Sequence, residues 1–139
     1  YSSAASDVYK RQPFSIPKLA ALEIPRVDIV YSHADDDGVM VRAACDAGAR
    51  AIVHAGTGNG SIHCCTDEAL ADAADAGVLI IRASRVTTGA VTTGLAEWQE
   101  RGYVPAGTLT PQKARVLAQL VVAEYGQVQS ALAEAFSKY

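Results

Sequence analysis

Short β-branched runs alternate along this chain with longer stretches of helical spacing. That alternation constrains the fold more than any other feature. Val27-Asp28-Ile29-Val30-Tyr31, Ala51-Ile52-Val53-His54 and Val78-Leu79-Ile80-Ile81-Arg82 read as strands. Val39, Met40, Ala43, Ala44 and Ala47 between the first two predict a helix stopped by Gly48, with Asp35-Asp36-Asp37 in its first turn. Thr66 to Ala76 predicts a second helix, with Leu70, Ala73 and Ala74 on one face and Gly77 closing it. Ser84 to Gln99 reads as a long loop with a short helix near Leu95 to Glu100. Tyr103-Val104-Pro105 reads as a final strand, its proline suiting an edge or a strand end. Thr110 as N-cap and Pro111 at the first helical position start a helix whose apolar stripe is Val116, Leu117, Leu120 and Val121. A last helix spans about Val128 to Phe136. Helices between strands imply parallel pairing with right-handed crossovers. The expected class is α/β: a small three-layer domain with a mostly parallel four-stranded sheet flanked by helices.

Composition narrows the function classes. A chain of 139 residues is one domain's worth and needs no disulfide staples to fold. Its net charge of −3 argues against a nucleic-acid partner, which normally demands a basic face. No apolar run approaches the length of a membrane span. With 26 alanines and nine aromatic residues, the core is built from small aliphatic side chains. Cys45, Cys64 and Cys65 are odd in number, and neighbouring cysteines strain the ring they would close, so no disulfide framework is implied. Residues 1–12 lack pattern and read as a non-native or disordered leader, 13–23 as a linker, and 24–139 as the domain.

In a parallel sheet, ligands meet the loops at the carboxyl ends of the strands. Two such loops stand out. Gly56-Thr57-Gly58-Asn59-Gly60-Ser61 follows the second strand. A dinucleotide reading is weak there: the third glycine of G-x-G-x-x-G is missing, and the next strand ends in Arg82 rather than an acid, which at best suits a 2′-phosphate. The second loop runs from Ser84 through Arg85, Thr87, Thr88 and Gly89 to Glu97, long enough to suggest a functional segment. His54, His63, Cys64 and Cys65 lack the intervals at which zinc ligands usually recur, so neither metal nor cofactor is expected; a helix-start histidine and semi-buried thiols account for them. No G-x-S-x-G elbow is present, and no complete active site emerges from these residues.

The blocks VHAGTGNGSIH, IIRASRVTTGAV and GYVPAGTLTPQKARVLAQLVV, followed by a terminal F-x-x-Y, stand in series. In order and spacing they resemble the C-terminal domain of bacterial type II L-asparaginases and glutaminase-asparaginases. The likeness covers about Ile24 to Tyr139. It implies a two-domain homotetramer that hydrolyses L-asparagine to L-aspartate and ammonia, with L-glutamine a slower substrate in many members. A threonine nucleophile forms an acyl-enzyme that water clears. By resemblance that nucleophile lies in an N-terminal domain absent from this chain, and the location is periplasmic or secreted, without excluding the cytoplasm.

The C-terminal domain's implied share is to hold substrate in a neighbouring subunit's site. Ser61 and Glu97 match the positions that grip the substrate's α-amino group, a carboxylate offsetting an ammonium and a hydroxyl adding a hydrogen bond. Asn59 and Gly60 would shape the loop. His63-Cys64-Cys65 is unlike the family's usual run at that point. The implied partners are L-asparagine, the chain's own N-terminal domain and further copies of itself, with neither nucleic acid nor membrane. The competing reading is a stand-alone module binding a nucleotide or small anion at the Gly56–Ser61 loop; a ligand-free assembly domain is a third.

Overall fold

The computed structural model describes residues 13–139; the leader assigned to 1–12 lies outside them. In chain order the elements are α1 (Ile16–Leu19), β1 (Val27–Tyr31), α2 (Val39–Asp46), β2 (Ala51–Gly56), α3 (Cys64–Asp75), β3 (Leu79–Ser84), α4 (Ala96–Glu100), β4 (Val104–Pro105), α5 (Pro111–Tyr125) and α6 (Gln129–Lys138). The strands form one sheet in the order β1-β2-β3-β4, every pair parallel. Each crossover therefore steps to the next strand in the same direction. Right-handed connections then place α2, α3 and α4 on one face. After β4 the chain turns, and α5 returns across the other face, with α6 packed beside it against β4.

Burial follows from this layering. β2 is buried at all six residues and β3 at five of six, because helices cover both faces. On the α5/α6 side the core is Val27, Ala51, Val53, Ile81, Ala83 and Val104 under Ala114, Leu117, Ala118, Val121, Leu132 and Phe136. Ala114 and Ala118 of α5 let its backbone approach the sheet closely. On the opposite side Val30, Ile52 and Ile80 meet Val41 and Ala44 of α2 and Ala69, Leu70 and Ala73 of α3. Toward the carboxyl ends of the strands this second face turns polar: His54 and Arg82 are register partners, and both are fully buried.

Local departures from the sequence expectations have simple causes. The three aspartates precede α2 rather than forming its first turn. Gly38 is the N-cap, and the Asp36 and Asp37 carboxylates accept from the Gly38 and Val39 N–H groups at 3.3 and 3.0 Å, the backbone-mimicking turn that short carboxylates favour. α3 starts two residues early because His63 Nδ1 caps it, accepting from Cys65 N–H. Val116 is 52% exposed; the buried stripe of α5 is Pro111, Ala114, Leu117, Ala118, Val121 and Val122, so alanines replace larger residues on the sheet side. The segment read as a linker carries the short helix α1. Phe14 packs on the core, and Lys18 pairs with Glu124 of α5.

His54 has no hydrogen-bond partner for either ring nitrogen among the described residues. Desolvation holds its pKa down from 6.5 to about 4, outweighing the upward pull of Asp36. The unfolded chain, with its histidine near 6.5, binds a proton that the fold refuses. Stability therefore rises with pH between about 4 and 6.5, by about 3 kcal/mol from this group. His54→Leu is expected to flatten that rise and to leave stability at pH 7 equal or higher, since it deletes unpartnered polar atoms. Urea denaturation of both proteins at several pH values across the window checks this; an equally steep slope in the variant would assign the effect elsewhere.

Candidate functional site

The Gly-rich loop leaves β2 and doubles back on it. Ser61 N–H donates to Thr57 O at 2.9 Å, and Thr57 and Ser61 form an antiparallel bridge. The turn is so close that a Cβ on Gly56 would stand 2.1 Å from Ser61 O; only glycine fits there. Ser61 emerges exposed, on the wall of an open cleft of about 320 Å³ shared with Ser32, His33, Thr57, His63 and Arg85. A larger cleft, about 440 Å³, lies at the amino ends of β1 and β2 beside Arg26 and Arg50. That is the wrong end of a parallel sheet for a ligand site.

The second loop is anchored to the first by one side chain. Arg82 is fully buried. Its Nε donates to Gly60 O at 3.3 Å and its Nη2 to Asn59 O, while Nη1 donates to Thr92 O and Thr93 O, both at 3.0 Å. The guanidinium carbon lies 4.1 Å from the centroid of the Trp98 ring, a cation–π distance. No carboxylate ion-pairs with it among the described residues. Desolvation pushes its pKa down, with Asp67 pulling it back up, and a guanidinium keeps its proton regardless. Four carbonyl dipoles and a ring face thus stand in for a counter-ion. Gly94 makes room for this: its φ is +71°, and a Cβ there would lie 2.7–2.8 Å from Arg82 Nη1 and Nη2 and from Trp98 Cε3. The 2′-phosphate role considered for Arg82 is excluded, since its donors face inward.

Asn59 reinforces the clamp. Its Oδ1 accepts from Thr92 N–H at 2.7 Å, and its Nδ2 donates to Thr92 Oγ1 at 3.0 Å. Gly60 is buried at φ +68°, its carbonyl on Arg82. Glu97 sits exposed in the first turn of α4, next to Trp98. Its carboxylate makes no hydrogen bond among the described residues, and it does not line the Ser61 cleft. Ser61 and Glu97 therefore do not line one cleft. They share a mount: one follows Gly60 and the other precedes Trp98, and both neighbours grip Arg82. The sequence reading missed Arg82, Trp98, Thr92 and Gly94 as parts of this mount. The available signal was a lone arginine inside a strand expected to be covered on both faces. The thiols were misjudged too: Cys64 and Cys65 are exposed.

The glutaminase/asparaginase C-terminal domain family matches residues 26–136. The chain is 43% identical over 129 residues to L-asparaginase 2 of Escherichia coli strain K12, covering 91% of this chain and 36% of that protein. It is 41% identical over 114 residues to a probable periplasmic L-asparaginase of Haemophilus influenzae, covering 81% of this chain and 32% of that one. The crystal structure of a probable cytoplasmic L-asparaginase from Campylobacter jejuni superposes with a TM-score of 0.84 at 37% identity, over 94% of this chain and 42% of that chain. The chain thus spans about a third of the length of the curated relatives it matches.

Arg82→Lys keeps the charge but cannot serve four carbonyls with one ammonium. It is expected to lower stability by about 3 kcal/mol and to speed amide hydrogen exchange at residues 59–61 and 92–94 ahead of β2 and β3. Unfolding curves with site-resolved exchange check this; uniform protection across both loops would show that the clamp does not hold them.

Proposed function

Because this chain belongs to the glutaminase/asparaginase C-terminal domain family, we propose that it is the C-terminal part of an L-asparaginase that presents Ser61 and Glu97 to bound substrate. In the overall reaction water cleaves the side-chain amide of L-asparagine, giving L-aspartate and ammonia, and L-glutamine is the slower alternative. The bond-breaking nucleophile, a threonine that forms the acyl-enzyme, belongs on this reading to residues beyond these 139. What Ser61 and Glu97 contribute is position. The carboxylate faces the substrate's α-ammonium, and the hydroxyl adds a hydrogen bond, so the amide is held in line for attack.

The observation that carries this reading is the shared mount. One buried guanidinium fastens both the loop that ends in Ser61 and the loop that leads to Glu97. Two exposed side chains are thereby carried on one mount. Exposure suits residues that serve a site completed by another polypeptide surface. The reading accordingly includes a homotetramer in which one subunit's Ser61 and Glu97 reach a neighbour's substrate, and a further domain that supplies the remaining contacts. Placement in the periplasm or outside the cell rests on the likeness to the periplasmic relative. The stand-alone nucleotide reading is not favoured: the Ser61 amide is spent inside the turn, Arg82 donates to four carbonyls, and Arg85 of the cleft wall donates to Ser32 O.

In the full-length protein Glu97→Gln is expected to cut kcat/KM for L-asparagine about 30-fold, the equivalent of about 2 kcal/mol of charge-assisted bonding. Ser61→Ala is expected to cost up to about tenfold. The 139-residue chain by itself is expected to release no ammonia. Steady-state kinetics with coupled ammonia detection measures all three; unchanged kinetics in Glu97→Gln would remove it from the site, and hydrolysis by the isolated chain would place the nucleophile within it.

A further inference from the structure

Three soft or borderline metal ligands converge at the start of α3, at the edge of the Ser61 cleft that His63 lines. His63 is its N-cap, and Cys64 and Cys65 are its first two residues. Cys64 Sγ lies 3.9 Å from His63 Nδ1 and 3.9 Å from Cys65 Sγ, and the three donor atoms all fall within 4.8 Å of one another. The interval rule for zinc ligands assumes that consecutive side chains diverge. The entry into α3 breaks that assumption, because the extended backbone of His63 (φ −68°, ψ 143°) leads straight into a helical turn. Three successive side chains then end on one side.

Two of the three separations, at 3.9 Å, come close to what one ion needs. With metal–sulfur bonds of about 2.3 Å and metal–nitrogen bonds of about 2.0–2.1 Å, tetrahedral ligand atoms stand roughly 3.5–3.8 Å apart. The competing outcome, a bond between the two thiols, is disfavoured. Adjacent Cα atoms are about 3.8 Å apart across a trans peptide, short of the usual disulfide range of about 4.4–6.8 Å. The backbone is also held: a Cβ on Gly38 would stand 2.9 Å from Cys65 O and 2.9 Å from Ala69 Cβ, so the start of α3 is packed tightly on the turn before α2. Asp35 and Glu68 add negative potential at Cys65, which favours a cation. Both thiols are exposed and His63 is half-buried, so an ion has access and a fourth position faces solvent.

We infer that His63, Cys64 and Cys65 form a site for one zinc-class, thiophilic divalent cation. Binding releases the two thiol protons to solvent and exchanges the 3.3 Å cap from Cys65 N–H to His63 Nδ1 for a metal–nitrogen bond. An ion there ties the end of the Gly-rich loop to α3 two residues beyond Ser61. The inference does not depend on which reaction the full protein performs.

The test titrates the reduced chain with Co²⁺ and then Zn²⁺. Expected are one ion per chain, thiolate-to-cobalt charge-transfer absorption with tetrahedral d–d bands, and loss of both when Zn²⁺ displaces Co²⁺. Cys64→Ser and Cys65→Ser should each weaken affinity at least tenfold. His63→Asn, which keeps an N-cap acceptor but removes the imidazole, should also weaken it about tenfold. Cys45→Ser should bind as the parent does. Absence of thiolate bands, or bands that persist in the Cys64→Ser/Cys65→Ser double variant, would overturn the site. So would one ion per two chains with a doubled mass in solution, which would mean exposed thiols of two copies bridged by metal.

Discussion

A buried guanidinium without a carboxylate organises the carboxyl end of this domain. Removing a charge from water costs several kcal/mol even after relaxation, so Arg82 persists only while its donors are satisfied. Four carbonyl oxygens and the Trp98 ring do that, and they come from two separate loops. The dependence runs in both directions. The loops need the cation to hold their carbonyls together, and the cation needs the loops to exclude water. Gly94, with its positive φ and no room for a Cβ, belongs to the same constraint, since any side chain there would strike the guanidinium. A single strand residue thus converts a rigid sheet into rigid loops.

The two faces of the sheet divide the labour. The α5/α6 face is aliphatic to the end of the strands, and alanines at 114 and 118 bring the helix close. The other face is aliphatic only in its lower half. Above Ile52 and Ile80 come His54 and Arg82 side by side, with Asp36 and Asp67 near enough to act on them and Tyr103 beside Asp67. Tyr103, pushed up to about 12 chiefly by desolvation, and His54, held down near 4, both stay neutral over the working range. The arginine beside them keeps its charge over the same range. That makes the polar half of the core a fixed electrostatic support rather than a titrating one.

Much of this was legible in the residues. β-branched runs covered on both faces, Thr110-Pro111 as a helix start and the glycine stops set the order of elements, and parallel pairing followed from the helices between the strands. The blocks around Gly56–Ser61, Arg82 and Gly107–Leu117 carried the family. The clamp was not legible. Its bonds join residues 59–60 to 92–93 through position 82, and carbonyl acceptors leave no trace in side-chain identity. The misplaced Asp35-Asp36-Asp37 turn has a similar cause. Carboxylates suit a helix's first turn and the turn before it equally well, and Gly38 decided between them only through its packing on α3. The His63-Cys64-Cys65 convergence was hidden because ligand intervals presume a regular backbone, and this one changes conformation within the motif.

An alanine-rich core sets how such a domain can carry function. Small side chains give thin layers, so the sheet edges and loop rims lie near solvent, and the clefts at the carboxyl ends of the strands are shallow and open. On the proposed reading such a rim does not surround the substrate but offers a carboxylate and a hydroxyl to a surface that closes over them. Precision then has to come from beneath the rim rather than from its walls. Arg82 supplies it by locking Gly60 and Trp98, the immediate neighbours of Ser61 and Glu97, into one bonded unit. The fold's economy in large side chains and its reliance on one buried cation are in this sense the same fact: where apolar bulk is scarce, charge–dipole bonding takes over the fixing of the loops.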